Sequence, residues 1–153
     1  MPEPGAGRVL ALDWGTKRFG VALSDPTRLL AQPLTTLTRR PGHRPPVREI
    51  LDLITRHEVV LVVVGLPLTP AGEEGDAAAE ARALGEAVAR RSGVPVTWWD
   101  ERLSTAAALR SARAAGVRDR DSRERIDQLA ATQILQHFLD AQTHRRTDAQ
   151  EMP

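Results

Sequence analysis

Residues 8–25 read RVLALDWGTKRFGVALSD, which is two apolar runs separated by a short polar turn. The runs cover residues 8–14 and 19–25, and GTKR at 15–18 forms the turn. Apolar runs of this length around a glycine-containing turn are typical of a β-hairpin. The hairpin places Asp13 at its rim, beside the turn.

The rest of the chain predicts strands that alternate with helices. The unbroken VVLVVV of residues 59–64 indicates a strand covered on both faces. We predict an α/β domain whose first three strands form an antiparallel meander and whose later strands are parallel. The other predicted elements are a strand at 31–38, a helix at 48–57, an alanine-rich helix ending at Gly93, a strand at 94–99, and helices at 104–115 and 122–140.

A single domain fits the length of 153 residues. We place it at residues 8–141, because residues 1–7 and 142–153 carry no apolar pattern and are predicted to be flexible tails. The last helix is predicted to begin with a capping box formed by Asp121 and Glu124.

Composition excludes several classes of protein. Apolar residues make up 41% and charged residues 27%, which is typical of a globular chain. The absence of cysteine excludes disulfides and thiolate metal sites and favours a reducing compartment. Neither a signal peptide nor a membrane-length apolar run is present, so we expect a cytoplasmic protein that does not contact membranes.

The charge pattern leaves nucleic-acid binding open. The net charge is only +1, but residues 102–125 contain seven arginines against three acids, a local net of +4. A second basic stretch covers residues 39–48. These arginines either bind phosphate or form solvated helix faces in a chain where Lys17 is the only lysine.

Asp127 begins an apolar stripe in the last predicted helix. The residues that share its helical face are Ala130, Ala131, Ile134, Leu135 and Phe138. An acid at the head of an inward stripe is costly to bury unless a cation or hydrogen-bond donors meet it. The alternative is an aspartate favoured by the dipole near the N-terminus of the helix.

Two further places combine carboxylates with strand ends. Asp13 either binds a cation or bonds turn amides, as in an Asx-turn. Asp100 and Glu101 follow the strand VTWW, and strand alternation lets only one of them point inward. Their alternative is an exposed loop with a local ion pair to Arg102.

Hard divalent cations prefer carboxylate oxygens such as these as ligands, and two cations bridged by a carboxylate would suit phosphodiester hydrolysis.

The motifs resemble a known family in several ordered blocks. LALDWGTKRFGVALSD, VVVGLPLTPAGEEG, VTWWDERLST and RIDQLAATQIL are similar to the YqgF family, the RuvX or Holliday-junction-resolvase-like proteins. The resemblance spans most of residues 8–140. It implies an RNase H-like fold with a five-stranded mixed sheet and a nuclease site that uses Mg²⁺ or Mn²⁺. It also implies that Asp13, Glu101 and Asp127 are the catalytic metal ligands.

Related resolvases carry an acid at the end of the fourth strand, where this chain has Gly65-Leu66-Pro67. Glu101, one strand later, is expected to supply that charge. Around the acids, Thr16, Lys17 and Arg18 are expected to hold the substrate strand, and Arg102 to bind phosphate or orient Glu101. Asp25 is expected to start a turn, and the three tryptophans to lie in the core.

The family resemblance implies maturation of the 5′ end of pre-16S ribosomal RNA. The alternative is cleavage of branched or single-stranded DNA in recombination and repair. Symmetric cutting of a four-way junction would need two active sites and therefore a homodimer. Two other functions compete. A sugar-kinase or actin-like ATPase would need a second such domain, for which the chain has no room. A non-catalytic RNA-binding module would not need the three acids.

Overall fold

The computed structural model describes residues 7–15, 17–39, 45–69, 71–100, 102 and 119–151. These ranges contain strands and helices that alternate after the third strand, as the sequence predicts. The strands are β1 (Arg8–Asp13), β2 (Arg18–Ser24), β3 (Ala31–Thr38), β4 (Val59–Leu66) and β5 (Val96–Asp100). The helices are α1 (Val47–Arg56), α2 (Asp76–Ser92) and α3 (Arg120–Glu151).

The strands form one mixed sheet in the order β3-β2-β1-β4-β5. β1 pairs antiparallel with β2, which pairs antiparallel with β3. β4 runs parallel to both β1 and β5. The predicted meander followed by parallel strands is confirmed. Because β1 is the central strand, its last residue, Asp13, lies in the middle of one end of the sheet.

Helices cover both faces of the sheet. α1 and α2 pack on one face and α3 packs on the other. Along β1, Leu10 and Leu12 lie in the core beneath α1 and α2, whereas Val9 and Ala11 lie in the core beneath α3. β4 divides its side chains in the same way, and Val63 belongs to the α3 side. The burial of β4 on both faces explains its unbroken apolar sequence.

The start of α3 differs from the prediction. The helix begins at Arg120, and the carboxylate of Asp119 accepts hydrogen bonds from the backbone N–H and hydroxyl of Ser122. Asp119 therefore caps the helix, and the predicted capping box of Asp121 and Glu124 is wrong. Glu124 instead pairs with Arg120 one turn earlier. The sequence offers two aspartates two residues apart, and the earlier one has the capping geometry.

The end of α3 also differs. The helix continues to Glu151, so the predicted end near residue 140 is wrong, and residues 142–151, predicted as a tail, are helical. The physical reason is that no glycine or proline lies between residues 122 and 152, so nothing stops a helix that is already formed. Although α3 has 32 residues, no helix in the described part of the chain is long and apolar enough to cross a membrane.

Other predicted boundaries are close to those observed. α2 ends at Ser92, and Gly93 adopts the left-handed conformation with φ of 75°, where its N–H bonds the carbonyl of Ala89. This is the usual glycine C-cap. The helix predicted at 104–115 lies outside the described residues, as does the N-terminal tail except for Gly7.

Asp25 organises the turn between β2 and β3. Its carboxylate accepts hydrogen bonds from the backbone N–H groups of Thr27, Leu29 and Leu30, and from the hydroxyl of Thr27. The bond from Leu30 makes the largest contribution to lowering the pKa of Asp25 to about 2. The predicted turn role of Asp25 is confirmed.

Asp25→Ala should lower the free energy of unfolding by about 1–2 kcal/mol near neutral pH, because several backbone donors lose their acceptor. A carboxylate whose pKa is lowered in the folded state stabilises the fold at pH values above its unfolded pKa of 3.8. That stabilisation is lost as the pH falls through its folded pKa of about 2. Denaturant unfolding should therefore show that the difference in the free energy of unfolding between parent and variant becomes smaller as the pH falls from 3.8 to about 2. A difference independent of pH across this window would contradict the assignment.

Candidate active site

Asp13 is a buried carboxylate on the α3 face of the sheet. Only 2% of the residue is exposed. Alternation along β1 gives it the same face as Val9 and Ala11, which pack beneath α3. Across the hairpin it is paired with Gly20 of β2. A carboxylate buried to this extent needs donors or a cation, which makes this position a candidate site.

Asp127 is the second buried carboxylate and lies about two turns into α3. It is also 2% exposed. Every member of the apolar stripe predicted beside it is buried in the core between α3 and the sheet, which confirms that this face of the helix points inward. The stripe consists of Ala130, Ala131, Ile134, Leu135 and Phe138.

Gly20 brings the two acids to one place. A Cβ built on Gly20 would lie 1.9 Å from the carbonyl oxygen of Asp127, so only glycine lets α3 approach β2 this closely. Because Gly20 is also the strand partner of Asp13, both acids lie beside the same point on the sheet. Gly20 was not among the residues predicted for the site. The available signal was a glycine inside an apolar strand, which often marks the close approach of another backbone.

Arg18 forms an ion pair with Asp127. Its Nε donates a hydrogen bond to Oδ2 of Asp127 at 2.8 Å, and the two side chains are 17% and 3% exposed. Arg18 begins β2 and shares the face of Gly20, which explains why it reaches the helix. The pair is largely shielded from water, so removing either partner would leave the other charge poorly compensated.

Arg123 adds another positive charge on the Asp127 side of α3. It lies four residues before Asp127 and therefore on the same side of the helix. Its Nε atom is buried and makes no hydrogen bond within the described residues. Arg123 was predicted only as part of a basic stretch, although its spacing of four residues from Asp127 indicates that the two share a side of the helix.

The structure tests the predicted roles of Thr16, Lys17 and Glu101 less directly. Thr16 and Glu101 lie outside the described residues. Lys17 is exposed in the hairpin turn, and its carbonyl oxygen accepts a hydrogen bond from the N–H of Arg39. This bond links the turn to the end of β3. The assignment of Lys17 and Thr16 to substrate binding therefore stays a prediction.

Arg102 pairs with Asp100. Its Nη2 lies 2.8 Å from Oδ2 of Asp100, and its backbone N–H also donates to that carboxylate. The side-chain bond from Arg102 is the main reason that the pKa of Asp100 is lowered. The local ion pair considered as an alternative is therefore present. Exposed pairs of this kind contribute little to stability, so a phosphate could still replace Asp100 as the partner of Arg102.

The two buried acids suit a divalent cation. Carboxylate oxygens are the ligands that Mg²⁺ and Mn²⁺ prefer. The guanidinium of Arg18 shows that positive charge is already accommodated beside Oδ2 of Asp127. Among the described residues, no three His, Cys, Asp or Glu side chains form a group that could hold a metal ion. The third predicted ligand, Glu101, lies outside those residues, so the fit rests on Asp13 and Asp127.

The sheet order and the flanking helices define an RNase H-like domain of the RuvC type. The T. thermophilus RuvC, solved in complex with a Holliday junction substrate, matches with a TM-score of 0.53. The match covers 90% of this chain and 96% of that chain at 18% sequence identity. A likeness at this identity shows the fold, and the fold predicted from the sequence is confirmed.

Sequence comparison identifies the family. The model described as "RuvX: Holliday junction resolvase" matches residues 7–141, and the chain belongs to this family. A relative from Mycobacterium sp. (strain KMS) is 49% identical over 90% of this chain and 82% of its own length. One from Rhodococcus erythropolis (strain PR4 / NBRC 100887) is 44% identical over 90% of this chain and 80% of its own length. Both are named "Putative pre-16S rRNA nuclease". The predicted family and nuclease class are confirmed.

Proposed function

We propose that this chain is a metal-dependent nuclease that hydrolyses phosphodiester bonds during 5′-end maturation of pre-16S ribosomal RNA. The convergence of Asp13 and Asp127 at Gly20 supports the site. The name shared by the bacterial relatives supports the RNA substrate and, with it, action in the cytoplasm. Asp13, Glu101 and Asp127 would hold Mg²⁺ or Mn²⁺.

The chemistry of the bound metal would be the activation of a water molecule and the stabilisation of the leaving oxygen, in a two-metal site if two cations bind. The chain contributes a rigid frame. Asp13 is fixed by the central strand, and Asp127 is fixed by the contact of α3 with Gly20. Arg18 orients the carboxylate of Asp127, and its partly exposed guanidinium suits a phosphate oxygen of the substrate.

Glu101 is proposed as the third acid because of its position in the chain relative to Trp99. Trp99 packs edge-on against Phe138 of α3, with ring centroids 5.8 Å apart, and so lies on the face of Asp13 and Asp127. Strand alternation repeats every second residue. Glu101 follows Trp99 by two residues in the sequence, and we propose it as the third acid on that basis.

A second candidate function is cleavage of branched DNA. The description of the family as a Holliday junction resolvase favours it, and the three proposed acids would serve both substrates. Symmetric cutting of a junction would need two copies of the site, and thus a homodimer. A non-catalytic RNA-binding module is the third alternative, and it would not need divalent cations.

The purified protein should remove the 5′ extension of a pre-16S RNA fragment with Mn²⁺ or Mg²⁺, and should leave it intact with a chelator. Mapping of the RNA 5′ ends would measure this activity, and a four-way DNA junction tested in parallel would measure the alternative. Cleavage of the junction alone would move the assignment to DNA. RNA binding without cleavage in either metal would support the non-catalytic module and contradict the proposal.

A further inference from the structure

A cleft lies on the face of the sheet opposite to Asp13 and Asp127. It opens between α1, α2 and the ends of β1 and β3, and its volume is about 1210 Å³. Trp14 lines it from the core beneath α1 and α2, whereas Asp13, the preceding residue, points to α3. Small-molecule pockets usually span about 300–1,000 Å³. The cleft is therefore large enough to hold a segment of a polymer.

Four arginine side chains line the cleft. Arg39 contacts Glu80 at 3.6 Å and lies over the ring of Trp14, 5.7 Å from its centroid. The arginines at 48, 90 and 91 are exposed and form no ion pair within the described residues. The acids in the lining are Glu49 and Glu80 against four arginines, so a net positive charge of +2 remains.

The start of α1 adds to the positive potential. α1 begins at Val47, beside the cleft, and no side chain caps its first turn. The N-terminal end of a helix carries partial positive charge, which favours anions, although the N–H of Val47 is already bonded to the carbonyl of Pro45. The arginines and the helix end therefore face the same space.

We propose that this cleft binds the phosphate backbone of the single-stranded part of the RNA substrate. The proposal rests on the nuclease function proposed above, since it extends the path of that substrate. The cleft is next to the active site around the rim of the sheet, because the carbonyl of Lys17 is bonded to the N–H of Arg39. A strand leaving Arg18 would pass Lys17 and enter the cleft at Arg39.

The path around the rim selects for a single strand. Duplex DNA is stiff over about 50 nm, so a double helix cannot turn from one face of a single sheet to the other. A single strand bends freely and is commonly bound by basic grooves that follow its backbone. The cleft therefore binds the unpaired extension of a precursor RNA, with contacts to phosphates and no base-specific readout.

The test measures binding of a labelled single-stranded oligouridylate, without divalent cations, to the full-length parent and to the double variant Arg90→Ala/Arg91→Ala. The variant should bind about tenfold more weakly at physiological salt. The slope of log K against log salt should be smaller by about 1.4, which is about 0.7 for each phosphate contact to a single strand. Arg56→Ala/Arg145→Ala removes the same charge from exposed positions outside the cleft and should bind like the parent.

Equal affinity and equal salt slope for the parent and the Arg90→Ala/Arg91→Ala variant would overturn the proposal, as would equal losses in the two double variants. Thermal melting of each variant excludes unfolding as the cause of a loss. The outcome is separate from the proposed catalysis. If the Arg90→Ala/Arg91→Ala variant loses binding but the parent cleaves no RNA, the result would support the cleft and contradict the nuclease function. If the parent cleaves RNA but the variant binds it like the parent, the result would support the nuclease function and contradict the cleft.

Discussion

Asp13→Asn should reduce metal-dependent cleavage by about 100-fold or more while the protein stays folded. Asparagine keeps the size of the side chain but removes the charge that a divalent cation needs. A catalytic metal supplies several kcal/mol of stabilisation, and a loss of about 3 kcal/mol corresponds to about 100-fold in rate. Initial rates of RNA cleavage in Mn²⁺ would measure the effect, and calorimetry would measure the accompanying loss of metal affinity.

The matched control is Asp52→Asn, which removes the same charge from an exposed position on α1. We expect this variant to cleave and to bind metal like the parent. Asp127→Asn should resemble Asp13→Asn in activity, but it should also be less stable, because Arg18 loses its charged partner. Parental cleavage rates in both Asp13→Asn and Asp127→Asn would contradict the assigned site.

Gly20→Ala should disrupt the site from a position with no functional group. Contacts closer than 3.0 Å are essentially never made by a Cβ, and this one would lie 1.9 Å from the carbonyl oxygen of Asp127. The backbone of α3 must therefore move by about 1 Å, a displacement that can cost about 100-fold in rate. The overpacking should also lower the free energy of unfolding by about 3 kcal/mol. Denaturant unfolding and cleavage assays would measure the two effects.

Gly75→Ala provides the comparison for this prediction. The nearest atom to a Cβ at Gly75 is Cγ2 of Thr69 at 3.9 Å, and its φ of −100° suits alanine. We expect a change of about 1 kcal/mol or less, because the position caps α2 without packing against another element. If Gly20→Ala were as stable and as active as Gly75→Ala, the close approach of α3 to β2 would not hold the site together.

The fold could be predicted from the sequence because its signals are local. The hairpin follows from two apolar runs around residues 15–18, and the two-sided burial of β4 follows from the unbroken run at 59–64. The inward face of α3 follows from the spacing of Ile134, Leu135 and Phe138. In each of these elements the side-chain pattern within one segment determines what that segment can pack against.

The site could be predicted only as separate residues. The pairing of Arg18 with Asp127 joins positions 109 residues apart, and local spacing contains no information about such a contact. The contact between Gly20 and α3 has a local signal, a glycine inside an apolar strand, but that signal does not say which element approaches it. The prediction of the α3 cap was wrong for a different reason. Asp119 and Asp121 offer the same chemistry two residues apart, and only the backbone geometry selects Asp119.

The position of the metal is the most direct test of the central claim that Asp13 and Asp127 hold it. Crystals grown or soaked with Mn²⁺ would locate the ion by its anomalous scattering. We expect manganese bound to carboxylate oxygens of both Asp13 and Asp127, with Glu101 nearby and with the guanidinium of Arg18 moved from its 2.8 Å contact. Manganese bound elsewhere, with the Arg18–Asp127 pair intact and cleavage fully active, would contradict the account.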